Sequence, residues 1–195
     1  MRIPVVDNGG QWTHREWRVL RDLGVDTRIV PNTELLRPGD VDGVLLSGGA
    51  LSLEDSEAPL GRIGDWVDTI GVPVLGICVG HHFLARHFGG TVGRAPAPEF
   101  GRVEVTVDRP DHPLLSGFGP TLRVWESHND HVTRLPPGWR SLAHSASCPV
   151  QVMVHPERPI FGVQFHPEVE HTEHGRDLLE RFVGRCRTAP HPTPK

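Results

Sequence analysis

Cysteine is scarce: Cys78, Cys148 and Cys186 are the three in 195 residues, widely scattered and with no Cys-x-x-Cys pair. An odd, scattered set excludes a disulfide framework and a zinc ribbon, and it fits a reducing cytoplasm. No apolar run approaches the roughly 20 residues of a membrane span, and the stretch around Ile3-Pro4-Val5-Val6 is too short for a signal peptide. No long basic run is present and the net charge is −4, so nucleic acid is not the expected partner. A phosphate loop of the Gly-x-x-x-x-Gly-Lys type is also missing, which removes the commonest signal of an ATP site. There is no internal repeat.

What is present describes an ordinary soluble globule, 37% apolar and 23% charged. The length suits one domain, expected over residues 1–187, with a disordered tail over 188–195 that holds three prolines and no apolar period. Short acidic clusters such as Glu54-Asp55 read as solvated surface. Apolar runs of strand length occur at Ile3–Asp7, Val25–Val30 and Val41–Leu46, with a fourth at Val72–Ile77. Helical spacing appears over Gln11–Leu23, through Trp12, Trp17, Leu20 and Leu23, and again at Leu60, Ile63, Trp66, Val67 and Ile70. Near-continuously apolar strands alternating with helices predict a mostly parallel α/β sheet covered on both faces. After Gly89-Gly90 the pattern alternates, with strands expected around 102–107, 122–125, 139–143, 151–155 and 160–164. This half is expected to add a smaller antiparallel or mixed portion to the same sheet. A closing helix is expected over Gly175–Cys186.

Chemistry concentrates at Gly76-Ile77-Cys78-Val79-Gly80, where the fourth strand meets a helix. A reactive side chain flanked at plus and minus two by glycine is the signature of a nucleophile elbow, a strained strand-to-helix turn. The glycines avoid clashes with the neighbouring strand and helix, and the cysteine stands at a helix N-terminus, where anions are favoured. A buried core thiol is the competing reading. A cysteine nucleophile needs a base, and the base needs an orienting group. Phe165-His166-Pro167-Glu168, at the end of a late strand, supplies both: His166 as base and Glu168 to hold its far nitrogen. His81-His82 and His171-x-x-His174 do not form a convincing ligand set, since adjacent helical residues diverge by about 100°; no metal is expected. Asp130-His131 reads as a loop contact or subunit surface, and the five tryptophans as core filler.

Four separated segments carry a resemblance: Val6–Gln11, Leu46-Ser47-Gly48-Gly49, Gly76–His81, and Val163–Thr172. They resemble the opening turn, oxyanion loop, nucleophile elbow and His/Glu segment of class I, triad-type glutamine amidotransferases. His171-Thr172 and Val124-Trp125-Glu126-Ser127-His128-Asn129-Asp130 point within that class to the glutaminase of GMP synthase. The resemblance implies a flavodoxin-like amidotransferase fold and hydrolysis of glutamine through a Cys78 thioester. It implies the N–H groups of Gly49 and Val79 as donors for a tetrahedral oxyanion, with Gly48 letting the main chain approach closely. It also implies contacts from Ser127, Asn129 and Asp130 to the substrate's amino-acid end. No cofactor is implied for this chain; ATP and Mg would be used by a separate ATP-pyrophosphatase subunit, which receives the ammonia and converts XMP to GMP. The likeness runs from about Ile3 to the last helix, without the other domains of the fused enzyme, which implies the two-subunit arrangement. The chain departs from the family at His82, where glutamine is usual and faces the substrate, and at Ala50-Leu51, where proline and a polar residue are common. The competing functions are a glutaminase serving another synthase, such as that for anthranilate, and a non-catalytic binding regulator.

Overall fold

The computed structural model describes residues 1–53 and 60–189. Among the described residues nine strands form one sheet, and their apolar patterning explains its two halves. β1 (Val5–Asp7), β2 (Ile29–Pro31), β3 (Val44–Leu46), β4 (Val74–Ile77) and β9 (Ile160–Val163) pair in parallel in the order β2-β1-β3-β4-β9. β3, β4 and β9 are short and buried throughout, as parallel strands covered on both faces must be, while the edge strand β2 is only partly buried. The sheet continues antiparallel through β8 (Val152–Val154), β7 (Arg140–Ser145), β5 (Thr91–Val107) and β6 (Thr121–Arg134). β5 and β6 make a long hairpin with buried and exposed positions interleaved, the pattern expected when one face meets water.

Successive residues of the parallel strands feed opposite faces. Val5, Leu45, Leu75 and Ile77 pack in one core with α1 (Thr13–Asp22) and α3 (Gly175–Thr188), through Leu20, Leu178, Leu179, Phe182 and Val183. Val6, Val44, Leu46 and Val74 pack in the other with Phe83 and Leu84 of α2 (Val79–His87). The α/β class, the mixed sheet and the two covered faces therefore match the expectation.

One expected helix is absent. Leu60, Ile63, Trp66, Val67 and Ile70 are all buried as their spacing demanded, yet only Ile63–Asp65 forms a 3₁₀ turn. The segment proceeds by separate turns, with Gly61 in the left-handed region at φ 58° before the 3₁₀ turn and Gly71 at φ 70° after it. Apolar spacing of three and four is satisfied by a chain of turns as well as by a helix, and glycine favours the turns. The expected strands at 122–125 and 102–107 are parts of the longer β6 and β5, so Asp130-His131 lies within a strand rather than on a loop. α3 runs to Thr188, one residue into the expected tail. Residues 190–195 and the Glu54-Asp55 cluster lie outside the described residues.

Candidate active site

The carboxyl ends of four parallel strands converge on one cavity of about 440 Å³. β1 delivers Asn8-Gly9-Gly10, β3 delivers Ser47-Gly48-Gly49, β4 delivers Cys78, and β9 leads to His166. Such a position, outside the strand ends of an open α/β sheet, follows from the topology.

Cys78 has φ 48° and ψ −105°, a strained conformation for a residue with a side chain, and it caps the N-terminus of α2. The flanking glycines show what the strain requires. A Cβ on Gly76 would stand 2.6 Å from the Gly80 carbonyl, and one on Gly80 would stand 2.6 Å from the Leu46 carbonyl oxygen. Helix α2 thus sits directly on β3 and on its own entry strand, and glycine is the residue that permits it. Cys78 is buried but reaches the cavity wall.

His166 faces Cys78 from beyond the end of β9, and Gly48 borders both: a Cβ on Gly48 would lie 3.1 Å from His166 Cε1 and 3.6 Å from Cys78 Cβ. His166 Nδ1 donates to Glu168 Oε1 at 2.7 Å, and the Glu168 side chain is fully buried. The segment is pinned to β6. His166 N–H donates to the Trp125 carbonyl at 3.0 Å, and the Thr172 hydroxyl accepts from Trp125 N–H while donating to the His166 carbonyl at 2.7 Å. Burial alone would lower the His166 pKa, but the Glu168 charge and the interaction with Cys78 overcome it and hold the ring well above the ordinary histidine range.

The glycine loop is fixed by Asn8. Its backbone N–H donates to Ser47 Oγ and its side-chain amide to the Ser47 carbonyl, both at 2.9 Å. Gly49 packs against the Asn8 carbonyl and against Val79, leaving no room for a side chain. Gly49 and Val79 therefore adjoin across the cavity beside Cys78, as oxyanion donors would have to.

Ser127, Asn129 and Asp130 line the same cavity from β6, and Asp130 accepts a hydrogen bond from Ser52. His82 lines it from α2, and its Nε2–H donates to Gln164 Oε1 at 2.8 Å. Burial drives the His82 pKa down to about 4 against the opposing Gln164 bond, so the ring is neutral near pH 7. This leaves Nδ1 as an acceptor. The neighbouring His81 turns into the core against Gly162, so the two histidines do not share a site. His174 is likewise a surface residue, stacked on Phe118 and bonded to Asp177.

Several cavity residues were not singled out from the sequence. Trp12 is no core filler: its ring stands edge-on to His166 at 4.4 Å. Glu16 is buried in α1 and accepts the Gly48 N–H at 3.2 Å. Its position midway between Trp12 and Leu20, four residues from each, was the available signal. Beneath the β6 wall, Glu99 accepts from Ser145, Ser147, Gln151 and His128. The ring of His128 also reaches the Asp130 carbonyl through Nδ1 at 2.8 Å, so both its nitrogens face acceptors. Ligand-type atoms of Glu99, His128 and Cys148 lie within 4.8 Å of one another. The four donors already on Glu99 make this cluster a hydrogen-bonded wall that fixes Ser127 to Asp130. Burial opposes the Glu99 charge, but those bonds hold its pKa down to about 2. Cys148 and Cys186 are buried thiols pushed up by burial, Cys186 to about 12.

Comparison with known proteins agrees with the layout. Residues 4–186 match the family model described as glutamine amidotransferase class-I. The chain is 49% identical to the glutamine-hydrolyzing GMP synthase subunit of Thermoplasma acidophilum, over 95% of this chain and 93% of that protein. It is 46% identical to the protein of the same description from Pyrococcus abyssi, over 94% and 98% of the two chains. A crystal structure of a GMP synthase subunit from Thermoplasma acidophilum superposes with a TM-score of 0.89 at 49% identity, covering 96% of this chain and 94% of that one. A glutamine amidotransferase of Thermotoga maritima shares the fold, with a TM-score of 0.78 at 20% identity over 96% and 98%. A family model spanning nearly the whole chain, with a cysteine elbow facing a His–Glu pair, leads to one conclusion: this chain belongs to the class I glutamine amidotransferases.

Proposed function

We propose that the chain is the glutamine-hydrolysing subunit of a two-subunit GMP synthase, releasing ammonia for a partner that aminates XMP. Relatives described as glutamine-hydrolyzing GMP synthase subunits support the assignment across nearly their full length. The observation that carries the chemistry is the strained Cys78 set opposite the His166–Glu168 pair in a cavity lined by polar β6 residues.

Cys78 gives its proton to His166 and attacks the side-chain carboxamide carbon of glutamine. The oxyanion so formed lies against the N–H groups of Gly49 and Val79. His166 returns the proton to the leaving nitrogen, ammonia departs, and a glutamyl thioester remains on Cys78. Water, deprotonated by the same ring, attacks the thioester; collapse expels the thiolate, which recovers its proton, and glutamate leaves. Glu168 orients the ring and stabilises its positive form throughout. Ser127, Asn129 and Asp130 hold the amino-acid end of glutamine, while Gly48 keeps the loop clear of the reacting atoms and His82 faces the substrate with a neutral acceptor.

The partner in this reading is an ATP-pyrophosphatase, and ATP with magnesium belongs to it. The three free thiols suit a cytoplasmic setting, and none of the described helices is long and apolar enough to cross a membrane. The test is glutamate release from glutamine with the synthetase partner of a GMP synthase, ATP and XMP. Release that depends on the partner and is lost in Cys78→Ser is expected; activity unchanged in that variant would refute the assignment.

A further inference from the structure

Glu16 is a buried carboxyl that the reaction just described leaves unused. It projects from the inner face of α1 to the cavity floor, with Oε1 accepting the Gly48 N–H at 3.2 Å. Its Oε2 is buried and meets no donor among the described residues. Glu168 shows the same pattern, with Oε1 taken by His166 Nδ1 and Oε2 buried without a donor. The two carboxyls flank one contact: Glu16 holds the Gly48 N–H, Glu168 holds His166 Nδ1, and a Cβ on Gly48 would lie 3.1 Å from His166 Cε1; the Glu168 charge also raises the Glu16 pKa.

Two orphaned acceptors on neighbouring buried carboxyls are the mark of a shared proton. Buried acceptors left unpaired are costly, and two adjacent carboxylates cannot both ionise cheaply away from water. A proton on one turns it into a donor for the other. Glu168 already accepts from His166 Nδ1, whereas burial raises the Glu16 pKa, so the proton is placed on Glu16.

We propose that Glu16 is a protonated positioning residue whose Oε2–H donates to Glu168 Oε2 while its Oε1 accepts the Gly48 N–H, fastening the glycine loop to the His166–Glu168 pair. One neutral carboxylic acid then links both halves of the site, so that the loop carrying Gly49 and the ring of His166 are set by a common support. Burial, the Glu168 charge and more distant Asp7 all raise the Glu16 pKa well above the usual carboxylate range, while the Gly48 N–H and His166 oppose them. When Glu16 does lose its proton at higher pH, two carboxylates repel and the tie opens. The expected result is loss of activity on the alkaline side.

The proposal rests on the glutaminase reading, and the experiment separates the two. Glu16→Gln keeps an acceptor and a donor but cannot ionise; Glu16→Leu keeps the volume and neither function. Glutamate release is measured for the full chain with the partner, ATP and XMP, alongside circular dichroism of each variant. The glutamine variant is expected to retain most of kcat and to lose the alkaline fall due to Glu16. A 1 Å misplacement near reacting atoms costs about 10²-fold, so the leucine variant is expected to lose roughly 10- to 100-fold in kcat while remaining folded. The infrared difference between wild type and Glu16→Gln at neutral pH is expected to contain the carbonyl band of a protonated carboxylic acid. A fully active leucine variant, a folded glutamine variant as impaired as leucine, or the absence of that band would overturn the proposal. Should wild type release no glutamate, the functional assignment fails, and the infrared band still decides the state of Glu16.

Discussion

His166 Nδ1 and Glu168 Oε1 lie 2.7 Å apart in a buried pair, two residues from each other along the chain. Pro167 and the Thr172 hydroxyl hold the short link in shape, so the orientation of the ring is built into the segment rather than borrowed from a distant element. The pair holds the His166 pKa above its unfolded value. Its stabilising contribution is therefore fully present below the ordinary histidine pKa and is lost as pH rises through the raised one. Replacing the charge in Glu168→Gln is expected to lower kcat by on the order of 10²-fold or more, as for other triad orienting residues. It is also expected to move the alkaline limb of the kcat profile to lower pH. A pH–kcat series checks both.

His82 supplies a second pH prediction, of opposite sign. Its pKa falls to about 4 on burial, so folding favours the neutral ring. The stabilisation is complete above the ordinary value of about 6.5 and is lost as pH falls towards about 4. That window corresponds to at most about 3 kcal/mol, and His82→Gln is expected to remove this part of the acid destabilisation. Urea unfolding of both proteins near pH 7 and near pH 4.5 makes the comparison. KM for glutamine is expected to show no titration near 6.5 from this residue; a His82-dependent step there would contradict the buried neutral ring.

The segments that the sequence singles out and the fold brings together are those whose chemistry is contiguous. Gly76-x-Cys78-x-Gly80, Ser47-Gly48-Gly49 and His166-x-Glu168 each carry their local geometry in a few adjacent residues, and each follows an apolar strand. Parallel topology then brings the three ends together. Glu16 and Trp12 were hidden because an acidic residue on a helix reads as solvent-facing and an aromatic as core. Their roles depend on which loop passes beneath the helix, a tertiary fact. Glu99 is hidden for the same reason: its donors come from β6, β7 and the approach to β8, and no spacing along β5 foretells them. The turns at 60–70 were read as a helix because burial fixes apolar spacing more strongly than it fixes backbone form.

Glu99 tests the wall that carries Ser127 to Asp130. Four donors converge on it: Ser145, Ser147, Gln151 and the ring of His128. Its pKa is lowered to about 2, so the stabilisation is present above the ordinary carboxylate value and lost as pH falls through about 2. Glu99→Gln removes the negative charge and sets an amide donor against donors. Breaking one side of a buried pair costs about 3–5 kcal/mol, and a loss of this order at pH 7 is expected in urea unfolding. A loss below about 1 kcal/mol would mean that surface-like energetics apply to this group.

The central claim is that Cys78 accepts the glutamyl group. Its most direct test is acid quenching of the chain during turnover with glutamine, partner, ATP and XMP, followed by mass spectrometry of the Cys78 peptide. A glutamyl adduct on Cys78 is expected in wild type, and neither adduct nor glutamate release in Cys78→Ser. Undiminished glutamate release from Cys78→Ser, or an adduct formed on Cys148 or Cys186 instead, would contradict the claim.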